Sequence, residues 1–438
     1  MIITPYSSSS PEGKKQLSGL ADRFQLADST CQQNVSDILS DIRQRGDEAL
    51  LEYTRKFDSP NMALGQLKVT EQELETAYSQ VDNDLMASLT LAKDRIQAFH
   101  ERELDDSWLL TREDGAITGR LVRPVASAGL YVPGGQGGKT PLVSSVLMNG
   151  IPAGIAGVGR RVMVTPPNEK GSVNPALLVA AQEIGITEIY KTGSAWAIGA
   201  LAFGTDTIPP VDVIVGPGNQ YVTEAKRQIA GRVRIDMIAG PSEVLIVADE
   251  YATPAFIAAD MLAQAEHDPQ ALAILLTTSQ DVANETVKEL EKQLSQLSRE
   301  DIALKSLADR GVILITNDVD EAIDLANDIA IEHLELMLKA PFEWLPKINH
   351  AGAIFLGNYS PEACGDYVAG PNHVLPTMGT ARISSALGVE TFLKKSSLIS
   401  YSRQAFLNDA DHIQNLANLE GLTAHAHSVV ERLNKINS

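Results

Sequence analysis

From Val125 onward, short β-branched runs alternate with Ala/Leu-rich stretches long enough to be helices, and this alternation limits the chain more than any other feature. The runs "SAGLYV", "RVMVTP", "EIYKTG", "VDVIVG" and "VRIDM" predict strands. Between them the pattern predicts helices at roughly 141–155, 174–185, 194–204 and 219–231. Strands separated by helices pair in parallel through right-handed crossovers, so these segments predict one parallel sheet. A second succession starts at "EVLIVAD" (243–249), followed by a helix to about His267, "LAILLTT", a helix near 281–297, "VILIT", a helix to about 328, "LELML" and "GAIFLG". The fold class is therefore α/β, with two Rossmann-like parallel-sheet units in series. Upstream of about residue 105 the periodicity is helical; "NVSDILSDIRQRGDEALLEYTRKFD" places apolar residues at 35, 38, 42, 50, 51 and 54. From about 390 the chain again reads as helix, in a tail too short for a core of its own. Helical N- and C-terminal extensions thus flank the two units, and the cleft between them, at strand carboxyl ends, is where a ligand is expected.

Charge narrows the partners. Lys and Arg total 36 against 56 Asp and Glu, a formal charge of −20, so the chain has no electrostatic footprint for nucleic acid or an anionic membrane. A cationic small molecule suits it better. No stretch approaches the ~18 apolar residues of a membrane span, and "MIITPYSSSSPEGKKQ" lacks the basic and apolar regions of a leader, which predicts a soluble, cytoplasmic protein. The two cysteines, Cys31 and Cys364, are too few for a disulfide framework and lack C-x-x-C spacing. Any metal must be held by His, Asp, Glu or amides.

Several short patterns carry chemistry. "PGGQGGKT" (133–140) misses a phosphate-binding loop by one residue, Pro133 standing where the first glycine belongs, and "LIVAD" ending at Asp249 imitates the magnesium-holding strand of such proteins. A P-loop-like NTP-binding protein is the reading from a different class, but Pro141 follows Thr140 at once, where the phosphate-cradling helix should start. Neither "GPGNQY" nor "GVGRRV" completes G-x-G-x-x-G. In "TPAFIAADMLAQAEHDP", Asp260, Gln264 and His267 recur at i, i+4 and i+7 and form one polar stripe. A Gln and a His three apart can grip one ion, although taken alone a solvated face is the plainer account. "CGDYVAGPNHVLPT" adds Asp366 and His373 in a Gly/Pro-punctuated loop, and "EGLTAHAH" adds Glu420, His425 and His427. Clustering of five of the eight histidines at or near such spots supports a metal-plus-base site. "AIEHLEL" sets Glu332 beside His333, both tools of proton transfer, yet neighbours on a regular element do not share a face. Cys364, beside Gly365 and Asp366, reads as a small packing residue rather than a thiol nucleophile.

Taken together, "YVPGG", "SSVLM", "ALAFGT", "GPGN", "VTEAKRQ", "IDMIAGPSEVL", "QAEHDP", "EHLEL", "FLGNYSPE", "GDYVAGPNHVLPT" and "LTAH" resemble, in order, the motifs of the histidinol dehydrogenase family. That resemblance implies oxidation of L-histidinol to L-histidine through the aldehyde, the last steps of histidine biosynthesis, with two NAD and one zinc per subunit. It implies Gln264, His267, Asp366 and His425 as zinc ligands and Ser242, His373 and Glu420 lining the substrate pocket with them. Glu332 and His333 become the acid-base pair, and Tyr131, Trp196 and Asn219 fall on the NAD side. The implied layout is an N-terminal extension (1–25), a zinc-side α/β domain (26–128 with 243–388), an NAD-side α/β domain (129–242), and a tail (389–438) that completes the partner's site in a homodimer. Trp196 stands where many members carry a glutamine, and 136–140 lengthens a loop; both touch the cofactor side. The rival within the fold is a paralogous zinc- and NAD-dependent dehydrogenase of another small polar alcohol, against which the retained His373 and Glu420 argue.

Overall fold

In chain order the strands are β1 (Tyr6–Ser7), β2 (Trp108–Thr111), β3 (Ile117–Pro124), β4 (Ser127–Tyr131), β5 (Arg160–Thr165), β6 (Glu188–Lys191) and β7 (Val213–Val215). They continue with β8 (Arg234–Ile235), β9 (Glu243–Ala248), β10 (Leu272–Thr277), β11 (Val312–Ile315), β12 (Ile331–Met337), β13 (Ala351–Leu356) and β14 (Leu393–Ser400). The computed structural model describes residues 2–21, 23, 28–134 and 140–438. The loop change at 136–140 and the glycines of "PGGQGGKT" from Gly135 onward lie outside the described residues, apart from Thr140.

Contacts divide the chain into two units, Met1–Glu103 with Val125–Phe392, and Leu104–Pro124 with Leu393–Ser438. The first holds two parallel sheets. One runs β6-β5-β4-β7-β8, the other β1-β11-β10-β9-β12-β13. Leaving out the edge strand β1, each has its chain-first strand at the centre and the order 3-2-1-4-5, so one architecture occurs twice. Both are built from strands buried on both faces, as continuous Val/Ile/Leu runs require. The helices Ser29–Arg45 and Asp47–Phe57 share a core with the five-stranded sheet through Leu39, Ile42 and Leu50 against Ile198, Leu201 and Val164.

The second unit differs from the helical tail expected of residues after 390. Leu393–Ser400 is β14, and it pairs antiparallel with β3, which pairs antiparallel with β2. The helices Arg403–Leu419 and Thr423–Asn437 complete the unit. The sequence hides the strand because its partner lies some 270 residues upstream (Ser396 opposite Leu121), and "LKKSSLIS" alternates too weakly to announce a mostly exposed strand. Two smaller differences concern bounds. The helix expected near 281–297 is Gln280–Leu294, with a further helix, Glu300–Arg310, before β11, and β12 begins at Ile331 rather than Leu334, which draws Glu332 and His333 into the strand.

Candidate active site

β12 is buried along its whole length although it carries Glu332, His333 and Glu335. Its entry explains how. The helix Val319–Ile329 ends on Ala330, held left-handed at φ 52°, and the chain turns straight into the strand beside β9. Neighbouring residues then leave opposite faces, yet both reach Glu243 at the start of β9. Glu332 Oε2 accepts a hydrogen bond from the Glu243 backbone N–H at 2.7 Å, and His333 Nδ1 donates to the Glu243 carbonyl at 3.0 Å. A carbonyl can only accept, so Nδ1 carries the proton and Nε2 keeps its lone pair.

The other candidates converge from two further elements. The helix Pro254–Ala265 runs back against the sheet, so its C-terminal end delivers Gln264 and His267 to the strands' amino ends. The helix Glu362–Tyr367 presents Glu362 and Asp366 one turn apart, while Cys364, two residues from each, leaves on another side. Ligand atoms of His267, Glu362 and Asp366 all lie within 4.8 Å of one another, and Glu362 Oε1 is 3.7 Å from His333 Nδ1. Gln264 is fully buried, and neither its amide oxygen nor its nitrogen has a partner. An orphaned amide costs ~1–3 kcal/mol unless something occupies the space it faces. The imidazole of His267 and the carboxylates of Glu362 and Asp366 form a donor set that fits a divalent ion taking N and O ligands.

Burial sets the electrostatics. It pushes the His333 imidazole down to about 3 and that of His373 down to about 4, so both are neutral near pH 7. Desolvation lowers His267 as well, although that residue is exposed at the surface. Burial raises the carboxyls of Glu332, Glu362 and Glu335 far above the usual range, and Asp260 shares a hydrogen bond with Glu335 that leaves one of that pair protonated. Asp366 is raised for the same reason.

His373 lies in the loop after β13, with Nε2 3.2 Å from Ser144 Oγ; Asn372 beside it donates to the Met148 carbonyl. Ser144 and Met148 belong to the helix Val143–Ile155, which follows β4, so the amino ends of one sheet meet the carboxyl end of the other. Glu332 and His333 lie at the amino ends of β9 and β12. Ser242, half-buried, precedes β9 and its carbonyl accepts from Leu272 N–H. In the five-stranded sheet, β4 and β7 flank the point where strand order reverses. Tyr131 ends β4, buried, its hydroxyl accepting from Ser194 N–H; Asn219 caps the helix Gln220–Ile229. Trp196 is buried, stacked on Phe57 at 5.2 Å and Tyr53 at 5.8 Å, with no partner for its Nε1. The helices Val143–Ile155 and Ser194–Phe203, after β4 and β6, have Leu142 and Gly193 as N-caps and no side-chain cap hydrogen bond. The first of them starts at Val143, two residues after Pro141. Glu420 and His425 belong to the second unit, where both are exposed. Sequence reasoning missed Glu362, Glu243 and Ser144; the i, i+4 spacing of Glu362 and Asp366 was the available signal for the first.

The histidinol dehydrogenase family model matches residues 21–433, and the chain is 67% identical over 433 residues to the histidinol dehydrogenase of Desulfotalea psychrophila, covering 99% of this chain and 100% of the relative. The chain belongs to the histidinol dehydrogenase family. Histidinol dehydrogenase of Nitratidesulfovibrio vulgaris is 54% identical over 413 residues, 94% of each chain. A crystal structure of histidinol dehydrogenase from Elizabethkingia anophelis superposes with a TM-score of 0.92 at 39% identity, covering 100% of this chain and 99% of that one. For a histidinol dehydrogenase, an α/β chain with two parallel sheets is therefore the family fold, and among the described residues no helix is long and apolar enough to cross a membrane.

Proposed function

We propose that this chain oxidises L-histidinol to L-histidine by way of L-histidinal, with two NAD and one zinc ion per subunit. The observation that carries the reading is the buried Glu332–His333 pair, both members tied to Glu243, next to the His267, Glu362 and Asp366 ligand atoms. When bound, zinc supplies an anchor for the imidazole and amino nitrogens of the substrate, and NAD accepts the hydride. Gln264, His267 and Asp366, with His425 of the partner chain, would hold the ion; Glu362 offers a further carboxylate at the same point.

His333 Nε2, free and neutral, takes the hydroxyl proton as the alcohol carbon loses hydride. Glu332 takes a proton from the water that adds to the aldehyde, using the oxygen not bonded to Glu243. His333, its first proton passed to solvent, then accepts the proton of the hydrate as the second hydride leaves. His373, steadied by Ser144, faces the substrate imidazole, and Ser242 lines the same pocket. Tyr131, Trp196 and Asn219 form the NAD side, within 129–242, and the zinc side lies in 243–388. Glu420 from a partner chain meets the substrate ammonium, in keeping with a charge of −20. Exposed Leu109, Leu110, Ile399, Leu416 and Leu419 in the second unit support a homodimer with shared sites.

The test is NADH formation with histidinol, two per histidine produced, in protein of known metal content. Loss on chelation and return with zinc is expected. Full turnover by metal-free protein, or none with histidinol at any metal content, overturns the proposal.

A further inference from the structure

Glu243 opens β9, the central strand, and its two backbone groups hold both members of the acid-base pair: N–H to Glu332 Oε2 and C=O from His333 Nδ1. Its side chain is held in turn. Arg23 Nε and Nη2 donate to the two carboxylate oxygens at 2.7 and 3.1 Å, and the pair is buried, with 5% and 2% of the side chains exposed. The same guanidinium donates to the Leu20 carbonyl at 3.0 Å and to the Ala330 carbonyl at 3.3 Å. Ala330 is the left-handed residue immediately before β12. One side chain therefore ties together the entry points of β9 and β12, the strands whose first residues carry the chemistry.

A buried ion pair adds little net stability, because desolvation consumes most of the Coulomb gain. What a bidentate guanidinium–carboxylate pair provides is fixed geometry. We infer that Arg23 and Glu243 are positioning residues: their clamp holds the Glu243 peptide where it fixes the His333 tautomer and aims Glu332. The inference rests on the acid-base role proposed above and adds to it the source of that pair's alignment. Without the clamp, the strand entry relaxes, the Nδ1–H bond to the carbonyl loosens, and the imidazole is free to place its proton on Nε2, where it cannot act as base.

The test uses the zinc-loaded enzyme and two variants. The double variant Arg23→Met with Glu243→Leu removes both charges together, along with the donor to the Leu20 and Ala330 carbonyls; Arg23→Lys keeps the charge without the fork. Each is assayed for kcat and KM, for melting temperature, and for the His333 tautomer by nitrogen-15 NMR with labelled histidine, the signal assigned by its loss in His333→Gln. The expected result is kcat down at least tenfold, KM for histidinol changed less than twofold, and a second tautomer signal. Activity within twofold with one unaltered Nδ1–H signal overturns the inference. A fall in kcat with the tautomer unchanged assigns the clamp to general structure and overturns it equally. Should the double variant fail to fold, Arg23→Lys decides by the same criteria. Because the tautomer is read without turnover, failure of the histidinol reading is distinguishable from failure of the clamp.

Discussion

Glu332 and His333 sit side by side in sequence and leave opposite faces of β12, and the proposed mechanism gives them different steps. Glu332→Gln keeps the volume and removes the base for water addition. Histidinal oxidation is expected to fall at least ten times further than histidinol oxidation in single-turnover assays of the two half-reactions; equal losses would contradict the division. A second residue reports on burial alone. Asp58 follows the helix Asp47–Phe57, and burial without a partner for Oδ2 pushes its carboxyl up to about 7. The folded state then binds a proton that the unfolded chain releases above about 3.8, so stability declines as pH rises through the window from about 4 to 7 and levels off beyond it. Three pH units correspond to roughly 4 kcal/mol at most. Asp58→Asn should therefore leave the melting temperature nearly unchanged at pH 4 and raise it at pH 8. A pH-independent difference would show that Asp58 is not the titrating group.

Junctions between elements, rather than the elements themselves, aim the site. Ala330 turns the chain into β12, and Gly216 does the same after β7: at φ 113° a side chain is strained, and an added Cβ would lie 2.1 Å from the Tyr131 carbonyl oxygen. Gly216 N–H donates to Asp236 Oδ2, and its carbonyl accepts from Lys226 Nζ, the two side chains forming a buried ion pair. Gly216→Ala is accordingly expected to cost at least ~2 kcal/mol in urea denaturation. It should also weaken NAD binding in titrations while sparing zinc content, since the change lies on the five-stranded sheet. Zinc lost in parallel would mean that the two sheets do not behave separately.

For the whole molecule, the decisive question is which chain completes each site. Glu420 and His425 are exposed on a unit whose apolar residues are also exposed, and a partner chain would cover both. Chains bearing His333→Ala are mixed, after subunit exchange, with chains bearing His425→Ala, each inactive alone. If tails serve partners, every heterodimer has one intact site and one doubly damaged, and random pairing returns roughly a quarter of the parent activity. No recovery, with exchange verified by native mass spectrometry, would place the whole site within one chain.

The alternation of apolar runs determined both parallel sheets almost strand for strand, because a strand buried on two faces must be continuously apolar and its crossover helix must follow it directly. The shared face of Asp260 and Gln264 on the helix Pro254–Ala265 was equally legible, since helical periodicity is local, whereas His267 lies past the helix end. Tertiary structure alone decided the rest. β14 exists because β3 offers it an edge, a pairing no window of sequence contains. Glu362 joins His267 and Asp366 only because separate helices end at the same strand entries. Glu332 and His333 look like an element boundary in sequence and become a buried pair because the Glu243 backbone supplies the hydrogen bonds that their burial requires. Local patterns record which face of an element is apolar; which polar groups meet depends on contacts between residues hundreds of positions apart, and these arise only when the sheets close.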